Sequence, residues 1–203
     1  MNRTAVAAFT VAGWSGFYVM LVELLSSRIL APYFGSSIYV WGAIIFIFML
    51  GLAIGYLLGG LYSRHDATLR RLCVLQAASA LATLPTVVWG DQVSGWLFDT
   101  GMDVRYGSLA ACMALFFIPT AFAGMVSPYA VRLVIKDRET SGRTAGYLYF
   151  VSTLGSSAGT LLTSFYFVLW WDVNHIFAGA IAVSLALCAA VALTVGGKRS
   201  EIA

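Results

Sequence analysis

A single acidic residue, Glu23, lies inside a long apolar stretch near the start of the sequence. A carboxylate is costly in such surroundings unless it is paired, protonated or directed into a wet cavity. At helical spacing Gly16, Met20, Glu23 and Ser27 share one face, which we expect to point toward other helices and not toward lipid. In that position Glu23 would supply the counter-charge for a small cation. The alternative is an interfacial carboxylate that pairs with Arg28, five residues further along the chain.

Hydroxyl and aromatic side chains near Glu23 extend the candidate site. A carboxylate flanked by aromatic faces suits an alkylammonium group, so a small organic cation is the ligand class that this chemistry favours. A second group of hydroxyls occupies positions 152–164, where they either line a polar path or bond to the carbonyl one turn back in their own helix. The candidate ligand-binding residues are Glu23, Ser26, Ser27, Arg28, Tyr33, Trp41, Ser152, Ser156 and Thr160.

The elements that must position these residues are membrane helices. Hydrophobic residues make up 60% of the 203 residues and charged residues 10%, which leaves too little polar surface for a soluble globule. We predict an all-α polytopic membrane protein, a single transmembrane domain over 1–203. Its six predicted spans lie at about 6–27, 39–62, 70–89, 108–135, 145–170 and 175–196.

The basic residues predict the orientation of these spans. With six crossings, ten of the twelve basic residues fall on one side, and only Arg28 and Arg105 fall on the other. The positive-inside rule then predicts a plasma (inner) membrane protein with both termini in the cytoplasm. The ten are Arg3, Arg64, Arg70, Arg71, Arg132, Lys136, Arg138, Arg143, Lys198 and Arg199.

An internal repeat is visible when the stretch 28–62 is shifted by 104 positions onto 132–166. Ten of the 35 aligned pairs are identical without a gap, among them Gly51/Gly155 and Gly55/Gly159. The copies, about 6–89 and 108–196, begin on opposite sides of the membrane and should therefore run in opposite directions. We predict a 3+3 inverted repeat, as in half of a major facilitator carrier, where substrate sites lie at the repeat interface.

Glycines at four-residue spacing predict close helix packing. Gly51, Gly55 and Gly59 share one face of the second span, and Gly155 and Gly159 repeat the pattern in the fifth. Such faces let two helices approach backbone to backbone, within one chain or in a homodimer.

Two further segments carry structural predictions. Pro119 and Pro128 predict a kinked or broken fourth span, which either lines a cavity or only shapes packing. The aspartate- and glycine-containing segment 90–107 predicts an outer loop.

Several classes of function are disfavoured. We expect no cofactor and no metal, because two histidines and three cysteines without a CxxC motif offer too few ligands at useful spacing. We expect no enzymatic activity on this chain alone, because no catalytic constellation is visible. The net charge of +3 reflects the side-to-side asymmetry and does not predict nucleic-acid binding.

One block of residues resembles a known family. The pattern Glu23-x4-Arg28-x-Leu-Ala-Pro-Tyr-Phe-Gly35-Ser-Ser, then Trp41, Gly51-x3-Gly55-Tyr56-x2-Gly59-Gly60, Pro128 and Gly155-Ser-x2-Gly159, is similar to the membrane domain of membrane-bound spermidine synthases. In that family a soluble aminopropyltransferase domain follows the helices. This sequence has no glycine-rich strand-turn-helix for such a domain. The resemblance implies a polyamine-related membrane module.

Two functions remain open from the sequence. The first is a non-catalytic membrane module that organises or anchors a separately encoded partner, or forms a homodimer, and handles polyamine. The alternative is a carrier-like transporter of a small organic cation, with Glu23 as counter-charge.

Overall fold

The computed structural model describes residues 3–64, 67–135 and 141–196, and this part of the chain is helical and without β-strands. Its helices are α1 (Arg3–Phe34), α2 (Ile38–Tyr62), α3 (Leu69–Ala82), α4 (Leu84–Asp99), α5 (Val104–Val134), α6 (Ser141–Leu162), α7 (Val168–Trp170) and α8 (Val173–Gly196). A single π-helical turn, Thr163–Phe167, links α6 to α7. Four of the predicted inner basic residues, Lys136, Arg138, Lys198 and Arg199, lie outside the described ranges.

Five helical segments in these ranges are long and apolar enough to cross a membrane. They are Arg3–Phe34, Ile38–Tyr62, Leu69–Asp99, Val104–Val134 and Val173–Leu193. The chain is therefore an all-α polytopic membrane protein. The span expected at 145–170 is helical as well, but it is not among the five, because its serines, threonines and glycines lower its hydropathy. Six crossings remain a prediction.

The first helix is longer than the sequence pattern indicates. It continues through Pro32 to Phe34 instead of ending near residue 27. Gly35 then terminates it with φ of +74°, and its backbone N–H donates to the Ala31 carbonyl at 2.9 Å. A glycine is favoured here because side chains rarely adopt this left-handed conformation.

The third predicted span is two helices with a break at Thr83. Pro85 lies in the first turn of α4, where its missing N–H breaks no helical hydrogen bond. The prediction of an outer loop over 90–107 is wrong for most of that segment, because α4 runs on to Asp99 and α5 begins at Val104. Gly90 and Gly95 are packing positions in α4 and lie against Ile29 and Tyr33 of α1.

The fourth predicted span is not broken, since α5 runs without interruption through Pro119 and Pro128. Proline at 119 cannot donate to the carbonyl of Leu115, which would leave this oxygen unpaired inside the protein. The Thr86 hydroxyl donates to it at 2.9 Å, and Ser79 donates to the carbonyl of Pro119 at 2.8 Å. Hydroxyls of α3 and α4 thus stabilise α5 at its first proline.

The centre of the bundle is built around α1 and α5. The most extensive contacts join α2 to α5 and α1 to α6, and α3 and α4 cover another side of α5. Phe48 of α2 and Phe116 of α5 are fully buried, with ring centroids 5.8 Å apart. Two of these helices, α1 and α6, carry eight of the nine candidate residues, and α2 carries Trp41.

Candidate functional site

The predicted packing glycines of α2 lie against α5. A Cβ at Gly51 would touch Thr120, and a Cβ at Gly55 would collide with the backbone carbonyl of Ala121. At Gly59 it would press on Met125 and Pro128. These positions allow the two helices to approach backbone to backbone.

The glycines of α6 do the same against α1. A Cβ at Gly155 would collide with the backbone of Gly13, and one at Gly159 would meet the carbonyl of Phe17. Gly16 of α1 lies equally close to the carbonyl of Ser152. All five predicted packing glycines are therefore covered within the protomer, and a homodimer would have to use a different surface.

The two crossings are related by the numbering shift of the sequence repeat. Gly55 of α2 meets Ala121 of α5, and Gly159 of α6 meets Phe17 of α1. Gly159 lies 104 positions after Gly55, and Phe17 lies 104 positions before Ala121. The shift therefore converts the α2–α5 crossing into the α6–α1 crossing. This exchange is the pattern that a two-fold relation between the copies would produce.

A small polar cavity of about 70 Å³ lies where these four helices meet. Hydroxyls from all four helices are among its lining residues, which include Ser15, Tyr56, Ser127, Ser152 and Ser156. Ser152 and Ser156 were candidates from the sequence, whereas Ser15 was not. Its hydroxyl donates to the carbonyl of Ala123 in α5, and its position next to Gly16 was the signal that could have identified it.

Glu23 lies on α1, one turn beyond the cavity-lining Met20, and is half-buried. Within the described residues its carboxylate forms neither a hydrogen bond nor an ion pair, so the alternative of a pair with Arg28 is not realised. Arg28 is exposed instead. The side chain that would hold a cation is thus left without a counter-ion.

Most candidate hydroxyls bond to their own helix. Ser26 donates to the carbonyl of Glu23 at 2.6 Å and Ser27 to that of Leu24 at 2.7 Å. Ser156 and Thr160 donate to carbonyls one turn back, at 3.2 and 3.0 Å. Of these four, Ser156 lines the cavity. Because its proton is committed to the backbone, it would present oxygen lone pairs to a ligand, as a cation requires.

Two aromatic candidates lie away from the cavity. Tyr33 packs against Gly95 of α4, and Trp41 is partly exposed at the start of α2. The structure therefore assembles Ser152 and Ser156 in the cavity and places Glu23 one turn of α1 beyond it. The other candidates are not among the lining residues: Ser26, Ser27, Arg28, Tyr33, Trp41 and Thr160. Tyr56 is the aromatic residue that lines this space.

A second polar pocket, of about 480 Å³, lies at the C-terminal end of α2. Arg64 and Arg132 line it with Ser63 and Thr68, and both arginines are exposed. In the described part of the chain neither guanidinium has an acidic partner.

Fold and site together define the class: a polytopic helical membrane protein with a small hydroxyl-lined space between its four central helices. Comparison with protein-family models, curated proteins and solved structures gives no match.

Proposed function

We propose that this protein is a non-catalytic membrane module that binds a small organic cation, with Glu23 as its counter-charge. One observation carries the proposal: a half-buried carboxylate in a membrane helix, without a hydrogen-bond or ion-pair partner among the described residues. Ionisable groups at such depth are costly and are characteristic of ligand and ion sites. Polyamine is the first candidate ligand, from the resemblance to the membrane domain of spermidine synthases.

The neighbouring cavity supports a cation over an anion or a neutral apolar ligand. Its lining hydroxyls and the adjacent carboxylate offer oxygen acceptors, and Tyr56 adds an aromatic face. A volume of about 70 Å³ accommodates a single ammonium-sized group and not a whole polyamine. A longer cation would therefore require α1 and α6, or α2 and α5, to separate.

The proposed architecture is a 3+3 inverted repeat with both termini in the cytoplasm of an inner membrane. The 104-residue relation between the two glycine crossings supports the repeat. The orientation rests on the distribution of arginine and lysine along the sequence.

The decisive experiment measures spermidine binding to the purified protein by calorimetry, together with uptake of labelled spermidine into proteoliposomes. Glu23→Gln keeps the shape of the side chain and removes its charge. We expect it to weaken binding roughly ten- to a hundredfold, the range for losing a hydrogen bond to a charged group. Asp172→Asn is the matched control, because Asp172 is exposed at the start of α8, where it pairs with His175 at 3.6 Å.

Equal binding by wild type and Glu23→Gln would refute the assignment of Glu23. Binding without uptake would favour a substrate-handling module over a carrier.

A second function, anchoring a partner protein, is favoured by the pocket between Arg64 and Arg132. Two guanidiniums without acidic partners in the described structure suit an acidic surface of another protein. Native mass spectrometry of gently extracted complexes tests this. Arg64→Gln with Arg132→Gln should release the partner, whereas Arg105→Gln, at the opposite end of α5, should not.

A further inference from the structure

An apolar cleft of about 570 Å³ lies between α1 and α8, next to the π-helical turn. Trp14 and Phe17 of α1 form one wall, and Phe167 and Trp171 close a second side. His175 lies at one end and Gly179 on the α8 wall, where a Cβ would meet nothing within 4 Å. The volume is in the range of small-molecule sites, about 300–1,000 Å³.

The four rings form one continuous surface. Trp14 stacks on Phe17 with centroids 5.1 Å apart, Phe17 contacts Phe167 at 6.3 Å, and Phe167 contacts Trp171 at 5.9 Å. The orientation of Trp14 is fixed, because its Nε1 donates to the Ser184 hydroxyl at 2.7 Å. The Trp14 wall of the cleft is therefore held in place by a hydrogen bond to α8.

In the other half of the protein, the corresponding helices α3 and α5 pack more extensively than α8 packs on α1. There, Ser79 of α3 donates to the carbonyl of Pro119 and joins α3 directly to α5. The position 104 residues after Ser79 is Val183, which lines the cleft and cannot form the equivalent hydrogen bond. The contact between α8 and α1 is made instead by Ser184, which accepts from the Trp14 indole, and the aromatic-walled cleft lies beside it.

The surroundings determine what can fill this space. Apolar walls of this kind exclude water, because a buried water needs two or more polar partners. From His175 to Val183 the α8 wall extends eight residues, about 12 Å along the helix. That length is close to one leaflet of the hydrocarbon core, roughly 15 Å.

We propose that the cleft is a specific lipid site that holds one acyl chain of a bilayer phospholipid. The chain lies along the rings from Trp171 to Trp14. Its headgroup lies at the end of the cleft near Asp172 and His175, which are both exposed. The site differs from the general lipid contact surface because it is concave and aromatic on two sides.

Gly179→Leu tests the site, since a leucine side chain would project into the cleft without meeting the backbone. Gly146→Leu is the matched control, because Gly146 is exposed on α6 and a Cβ there also meets nothing within 4 Å. After mild delipidation, native mass spectrometry should find one phospholipid per chain in wild type and Gly146→Leu. Gly179→Leu should retain at least tenfold less. Equal retention in all three proteins would overturn the proposal.

A second measurement does not depend on the folding of Gly179→Leu. Tryptophan fluorescence of wild type and of Trp14→Phe is recorded while each is titrated in detergent with a phospholipid brominated near the ends of its acyl chains. The emission of Trp14 is the difference between the two proteins. We expect this emission to be quenched with saturation at one lipid per chain. Quenching that rises in proportion to lipid, without saturation, would mean general lipid contact only and would refute the site.

Discussion

The backbone of Gly13 lies so close to Gly155 that a Cβ built on Gly155 would overlap the Gly13 carbonyl. At this point α1 and α6 touch without any side chain between them. Close contact of this kind supplies the packing attraction that drives helix association in lipid, where apolar burial contributes little. The same contact leaves no room for even one methyl group.

Gly155→Ala is therefore expected to destabilise the fold by about 1–3 kcal/mol, the range for overpacking a filled interface. Gly146→Ala is the control on the same helix, because a Cβ there meets nothing within 4 Å. Both variants replace a helical glycine with alanine, so the gain in helix propensity is the same in both and cancels in the comparison. Thermal unfolding in detergent measures the difference. Equal melting temperatures would contradict the close contact.

The hydrogen bond from Thr86 to the Leu115 carbonyl leads to a second prediction. Thr86→Val keeps the shape of the side chain but leaves a buried carbonyl without its donor, because Pro119 has no N–H to replace it. We expect a loss of about 1–3 kcal/mol. Thr153→Val, at an exposed position of α6, makes the same chemical change and should alter stability by less than about 0.5 kcal/mol. A similar effect of both changes would rule out this role of Thr86.

Much of the helical frame was predictable, because apolar runs of membrane-spanning length are read directly from the sequence. The end of the first helix is an exception, because α1 continues past the predicted span as far as Gly35, where a positive φ favours glycine. Pro119 and Pro128 led to the prediction of a kinked or broken span, and α5 is not broken at either proline. The residues that stabilise α5 at Pro119, Thr86 and Ser79, come from other helices and are not adjacent to it in sequence.

The candidate site was predictable only in part. Glu23 and the α6 serines were identified from residue type and depth. Whether Glu23 pairs with Arg28 depends on the path of the chain after residue 27, and α1 continues there as a regular helix. Ser15 lines the cavity where α1 packs against α5, and the sequence of one helix alone does not define this contact.

The packing of α3 against α8 predicts a chemical cross-link. Cys188 Sγ lies 3.2 Å from the Cys73 carbonyl oxygen, so the two cysteines face each other across this interface. We expect a membrane-permeant oxidant to join them, because the Cys188 thiol lies against the main chain of Cys73 itself. The protein has three cysteines, so maleimide labelling after denaturation should count one free thiol instead of three. The remaining thiol should belong to Cys112, which is buried elsewhere, and Cys73→Ser should retain both of its thiols. Three free thiols after oxidation would contradict the contact.

The π-helical turn begins at Thr163, which corresponds by the 104-residue shift to Gly59 of α2. Gly59 lies close against Met125 and Pro128, an approach that threonine would obstruct. Thr163 is fully buried, and its hydroxyl has no partner in the described part of the chain. Widened turns of this type are frequent at functional sites.

Thr163→Val distinguishes a structural from a ligand-binding role for this hydroxyl. Removing a buried hydroxyl that has no partner, at nearly constant shape, should leave the unfolding free energy unchanged or raise it by up to about 1 kcal/mol. Spermidine binding should also be unchanged, because Thr163 does not line the polar cavity next to Glu23. Thr120→Val serves as the control, because it removes the hydroxyl of another buried threonine, on the α5 face that meets Gly51. A loss of spermidine affinity in Thr163→Val alone would contradict this and extend the cation site along α6 to the π-helical turn.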